Sequence, residues 1–230
     1  MHPHSYLRLP NGNVLVSFQH AHHERHDETW ARVAAWWKSM TRQRVRSAST
    51  ADPALPNAML MPYSLVVLPD LDRVVVTNSS MHDDDIFSGV TYQVWRLSDL
   101  RLLKTAYLDP GDNLHGHISP EEPRLGPDGS IFVQTLGCGI ERITGVNADQ
   151  PTATLARTFP GKWCGVPTMV GHYLVQSAPA IHGLIALDIA AKPVEVWRLK
   201  LGDTHLPHWT GWDPKTQRLV VTGSELVFSC

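Results

Sequence analysis

Short runs of apolar and β-branched residues, punctuated by proline, aspartate, asparagine and glycine, recur along the whole chain, and the clearest lie between Glu121 and Gly145. That stretch reads as strand, tight turn, strand, loop, strand. Pro127-Asp128-Gly129 carries the turn: proline presets one dihedral, aspartate bonds its own backbone, and glycine accepts a positive φ. Ile131–Leu136 follows with the pattern of a buried strand. Gly137-Cys138-Gly139 breaks it, and Ile140–Thr144 opens the next.

The same phrase returns elsewhere. Ser5–Leu9, Pro10-Asn11-Gly12-Asn13 and Val14–Phe18 form one copy; Ser64–Leu68, Pro69-Asp70-Leu71-Asp72 and Arg73–Thr77 form another. A copy with a tighter turn at Gly171 runs from Pro167 to Gln176, and a further one joins Thr210–Trp212 to Arg218–Thr222 through Asp213-Pro214-Lys215-Thr216. Third strands are expected at Tyr92–Leu97, Ile140–Thr144 and Leu184–Ile189, and fourth strands at Leu102–Leu108, Ala153–Phe159 and Val194–Leu201. Four short antiparallel strands repeating every ~40–60 residues are the signature of a β-propeller blade. The expected fold is therefore all-β: a single incomplete propeller with blades near 3–51, 60–110, 118–161, 162–202 and, in part, 205–230.

Two stretches break the pattern. His20–Arg46 stands where the first blade needs its outer strands, yet Trp30, Val33, Ala34, Trp37 and Met40 make a helical stripe. Acidic residues precede it and basic ones follow, which suits a helix dipole near 27–46. Either this is an inserted surface helix, or the reading frame slips there, since the neighbouring frame permits a strand in place of Trp36–Thr41. The tail from Glu225 to Cys230 shows the same symptom.

Composition narrows the function. The 230 residues are 43% hydrophobic and 18% charged, enough for a substantial core. A net charge of −2 argues against a phosphate-binding surface, so no nucleic-acid partner is expected. No apolar run reaches membrane-spanning length. Met1-His2-Pro3-His4 enters a strand at once, which looks like an internal start and leaves the compartment, periplasmic or cytoplasmic, open. Three widely spaced cysteines suggest neither a disulfide framework nor a zinc knuckle.

Several groups carry possible chemistry, each beside a plainer reading. The run His20-Ala21-His22-His23-Glu24-Arg25-His26 is a metal-binding loop or a solvated one. Cys138 and Cys164 read as soft ligands or nucleophiles, or as ordinary buried thiols. Asp83-Asp84-Asp85 lacks the glycine and distal glutamate of a calcium loop. The repeat register is more informative. His4, Tyr63, Glu121 and His208 each lie six positions before a turn proline, at Pro10, Pro69, Pro127 and Pro214. All four therefore share one phase at the start of the innermost strand, which rings a propeller's central channel. Antiparallel pairing brings His20, His22, His82, Cys138 and His182 to the same end, with His115, His117 and His205, and leaves His172 on the other. Such a gathering forms a site, or simply lines a wet channel.

Pro3-His4-Ser5 through Gly12-Asn13-Val14 resembles the P-H-T-x-H…G-E-V segment of the selenium-binding protein / methanethiol oxidase family, and Tyr63–Asn78, Tyr92–Leu108, Glu122–Arg142 and Leu184–Gly202 resemble its later blades in order. The second histidine of that motif falls on Leu7, which cannot ligate. The resemblance implies a seven-bladed ring, of which about four to five blades are present. It also implies copper-dependent oxidation of a small thiol, with a sulfur- or selenium-containing ligand. His4 and His208 are then metal ligands, His82 a further ligand or a proton relay, and Glu121 or Glu122 the group that orients one of them. Further blades or an oligomer are expected to close the ring. The alternative is a non-catalytic propeller scaffold; a calcium-dependent lactonase-like propeller would want carboxylates and asparagines instead.

Overall fold

The computed structural model describes residues 2–9, 12–19, 58–82, 85–108, 120–135, 138–148, 151–159, 164–204, 206–223 and 227–229. These form five antiparallel sheets in chain order. The first pairs β1 (His2–Arg8) with β2 (Val14–Gln19). The second runs β3 (Ala58–Leu68), β4 (Arg73–His82), β5 (Asp85–Arg96) and β6 (Leu102–Leu108). The third holds β7 (Pro120–Leu125), β8 (Ile131–Thr135), β9 (Gly139–Thr144) and β10 (Thr152–Thr158). The fourth holds β11 (Thr168–Val170), β12 (Tyr173–Ala178), β13 (Gly183–Asp188) and β14 (Val194–Lys200), and the last β15 (Pro207–Asp213), β16 (Arg218–Gly223) and β17 (Val227–Ser229). This is a β-propeller architecture, in which each four-strand meander is a blade. The described residues close no ring. The stretch read as a helix or a frame slip lies outside them, as do Glu225, Leu226 and Cys230 of the tail, whose Val227–Ser229 forms the last strand.

The turn chemistry explains the hairpins. Between β7 and β8, Gly126 N–H donates to the Ser130 carbonyl at 2.8 Å, Asp128 Oδ1 accepts from Ser130 N–H at 3.0 Å, and Gly129 takes φ 79°. Burial then follows the period-two alternation of the strands. In β8, Ile131 and Val133 face the second blade, packing with Leu68, Val75, Tyr92 and Val94, while Phe132 faces the fourth. In β13, Ile185 and Leu187 turn back toward the third blade and Leu184 and Ala186 toward the fifth. Strands buried on both faces are thus shared between two blade interfaces. The fourth strands β10 and β14 hold only exposed and half-buried residues, as suits the outer edge of a blade.

The innermost strands stand side by side: β3 contacts β1 and β7, β7 contacts β11, and β11 contacts β15. One sequence expectation changes here. Cys138 and Cys164 are bonded to each other, with Cα atoms 4.9 Å apart, so they are neither free thiols nor ligands. They are 26 positions apart in the chain, and only the stacking of the third blade on the fourth brings them together. Nothing in their spacing announces it.

Candidate functional site

Four of the five innermost strands carry a β-bulge, and each bulge follows a proline. The register slips between Pro3 and Ser5, Pro62 and Ser64, Pro120 and Pro123, and Pro207 and Trp209. Proline has no N–H to donate to the ladder, so the pairing breaks beside it and an extra residue is accommodated. The residues set there are His4, Tyr63, Glu121 and His208, those that share the six-residue offset to a turn proline. β11 is the exception: Thr168, after Pro167, pairs with Val175 without a slip.

In β7 the bulge sets both Glu121 and Glu122 opposite Gln134, between the pairs Pro120–Thr135 and Pro123–Val133. Regular alternation would turn one of the two side chains to the far face; instead both glutamates are buried, 5% and 6% exposed. Glu122 Oε2 accepts from Ser64 Oγ at 2.6 Å and pairs with Arg124 Nη1 at 3.3 Å. Glu121 is held by hydrogen bonds from Tyr63 and Gln134, and its backbone carbonyl accepts from Thr77 Oγ1 at 2.6 Å. Its Oε2 is buried and has no hydrogen-bond partner among the described residues. Burial pushes the Glu121 carboxyl up to about 7, and the charge of Glu122 adds to the rise against the lowering effect of the Gln134 and Tyr63 hydrogen bonds. Burial, then Glu121 and Glu122, hold the Tyr63 phenol far above its ordinary range. The group therefore has a proton poised near neutrality and a permanently protonated phenol beside it.

His208 is half-buried, and desolvation holds its imidazole below the usual range, which favours the neutral ring. Its ring meets Trp209 edge-on at 5.7 Å. Its carbonyl accepts from Val166 N–H at 2.6 Å, and Gly165 packs so closely on that carbonyl that a Cβ would collide with it.

The other proposed residues are distributed as follows. His4 lies in β1 and His82 ends β4, but their side chains are outside the described set. His20, His22, His115, His117 and His205 also fall outside the described residues. His182 follows β12 at a left-handed position, φ 53°, and His172 sits in the turn opposite, 3.9 Å from Asp188. Among the described residues no three His, Cys, Asp or Glu side chains converge as a metal set, and the bonded sulfurs of Cys138 and Cys164 offer no thiolate. The described groups make an acidic hydrogen-bonding site.

Sequence reasoning singled out Glu121, Glu122 and Tyr63 but not Gln134. A signal was present, because Val133-Gln134-Thr135 and Val175-Gln176-Ser177 repeat one phrase at the ends of otherwise apolar second strands.

No protein-family model matches the chain, and no curated protein matches it. Among solved structures the chain is similar to the β-propeller domain of Myceliophteria thermophila Cps50 (Swd1), at 12% identity and a TM-score of 0.54 over 74% of this chain and 53% of that one. It is also similar to the Dos1 propeller, at 11% identity and 0.54, covering 80% of this chain and 43% of that one. The designed protein Ika4 matches at 10% identity and 0.53, covering 82% and 98%. At such identities the likeness establishes the class, a β-propeller. The chain spans about half the length of the Swd1 domain it matches and nearly all of Ika4.

Proposed function

We propose that this chain is a β-propeller binding scaffold that takes a small ligand at the end of its inner strands where the bulges lie. The observation that carries this is the placement of Tyr63 and Glu121 at equivalent bulges of adjacent blades, hydrogen-bonded to each other, with a buried carboxylate oxygen left over. Buried polar groups in native proteins are nearly always partnered, so a leftover acceptor at a repeated position points to a ligand or an ordered water. Titration of the full chain with small hydrogen-bond donors, followed by amide chemical shifts, tests the reading. Perturbations gathered at residues 62–64, 121–123 and 134 support it; perturbations confined elsewhere refute it.

The finer reading is copper-dependent oxidation of a small thiol, as in the selenium-binding / methanethiol oxidase proteins. It is favoured by the matching bulge positions of His4 and His208, with His82, Glu121 and Glu122 as further participants. Copper would supply the redox chemistry there. A copper titration followed by methanethiol-dependent hydrogen peroxide release separates the two. Stoichiometric copper with turnover favours the oxidase, and its absence leaves the scaffold.

A further inference from the structure

We propose that Glu121, Gln134 and Tyr63 form a receptor for a protonated primary amine, a proposal that rests on the bulge-end binding reading above.

The argument is one of supply and demand for protons. Glu122 is satisfied, with Ser64 and Arg124 on its Oε2. Gln134 donates its amide nitrogen to the carbonyls of Thr135 at 2.9 Å and Cys164 at 2.8 Å, which fixes the orientation of the amide. Its Oε1, on a side chain with no solvent exposure, is left without a partner among the described residues, as is Glu121 Oε2. Glu121 lies between the pairs Pro120–Thr135 and Pro123–Val133, beside Gln134, so the two vacant acceptors belong to one cluster. Once the Glu121 carboxyl is ionised, what the cluster lacks is a donor with more than one proton.

Charge selects among donors. The Arg124 guanidinium offsets Glu122, and an ionised Glu121 then leaves the cluster one negative charge in excess. A neutral hydroxyl or a water would leave that charge uncompensated in a buried setting, at considerable cost. A divalent cation would compensate it but wants six or more oxygen ligands, and the neighbouring guanidinium repels it. An alkylammonium group carries one positive charge and three N–H donors, which matches one carboxylate oxygen, one amide oxygen and the adjacent phenol oxygen. Among the described residues, the titratable and charged groups facing Glu121 are Tyr63 from β3, Glu122 on its own strand and, through Glu122, Arg124.

The test uses the full chain with methylammonium chloride, against tetramethylammonium chloride and calcium chloride at matched ionic strength, read by amide shifts of residues 121–123 and 134. Methylammonium should saturate these shifts, about tenfold more weakly at pH 6 than at pH 8, because the carboxyl must be ionised to receive it. Glu121→Gln should weaken it by more than tenfold. Should that variant fold poorly, Glu121→Asp, which keeps the charge but withdraws it, should weaken binding while keeping the pH dependence. Equal responses to methylammonium and tetramethylammonium, saturation by calcium alone, or no saturable shift would each overturn the proposal. If another donor perturbs the same amides and methylammonium does not, the amine class falls while the bulge-end reading survives; if nothing perturbs them, both fall.

Discussion

The interface between the second and third blades and the one between the third and fourth bury comparable apolar clusters, but they solve the polar part of the contact in opposite ways. The former relies on carboxylates. Tyr92 donates its phenol to Glu141 across it, Ser64 donates to Glu122, and Tyr63 to Glu121. All three glutamates are buried. The latter relies on backbone carbonyl acceptors, one ion pair between Arg157 and Glu195 at 3.2 Å, and a covalent bond. Gln134 clasps the Cys164 carbonyl, Arg124 Nε reaches the Pro167 carbonyl at 2.9 Å, and Cys138 is joined to Cys164. One face of the third blade thus carries buried carboxylates and the other a disulfide. The difference teaches that the repeat fixes the apolar packing, while the choice of polar residues at the same strand ends sets how each interface is held.

Removing the covalent link should break the comparison most severely. Replacing Cys138 and Cys164 by alanine should cost about 3.5 kcal/mol, the loop-closure value for cysteines 26 positions apart. Denaturant unfolding with and without reductant checks it: reductant should lower the midpoint of the parent chain and leave the variant unmoved.

Acidity should act next, and on the other interface. The folded-state value for Glu121, about 7, lies above its ordinary 4.5, so the folded protein holds the extra proton between those limits. Its contribution is full at low pH and is lost as pH rises toward 7, by about 3 kcal/mol at about 1.4 kcal/mol per pH unit. Glu121→Gln should flatten that part of the stability profile, measured by thermal unfolding from pH 4 to 8.

Tyr92→Phe should cost about 2 kcal/mol, because it removes a charge-assisted hydrogen bond from a carboxylate with no solvent exposure. The loss should not depend on reductant, and a double-mutant cycle with the cysteine pair should show additivity. The smallest effect belongs to His208, whose depressed imidazole costs stability only where the unfolded ring is protonated. Stability should decline slightly as pH falls below about 6.5, and His208→Gln should remove that slope.

Much of the fold was legible because it is local. Turn residues such as Asp128 and Gly129, and apolar strands such as 131–135, declare themselves within a few positions, and their repetition declares the blade. The equivalence of His4, Tyr63, Glu121 and His208 was legible through their fixed distance to the next turn proline, whereas the bulges at those positions were not. The pairing of Cys138 with Cys164 and the bonding of Tyr63 to Glu121 were not legible. Both depend on how one blade stacks on the next, which no spacing within a blade encodes. Two adjacent buried glutamates likewise contradict strand alternation, and only the slip beside Pro120 makes room for them.

The segment Cys164–Val166 has a consequence for cooperativity. Cys164 is bonded to the third blade through both its sulfur and its carbonyl. Gly165 is held within the fourth by Gln176 and by the Ser177 carbonyl. Val166 bridges to the fifth at Trp209, its carbonyl accepting from Thr210 N–H at 3.2 Å and from Thr210 Oγ1 at 2.8 Å. In an ordinary repeat protein each unit feels only its neighbours, and the array can fray one unit at a time. Here three residues give the third and fifth blades a common anchor. Opening of any one of the three blades should therefore draw on the other two, and the amides of Val166 and Thr210 should exchange with solvent only when all three open together.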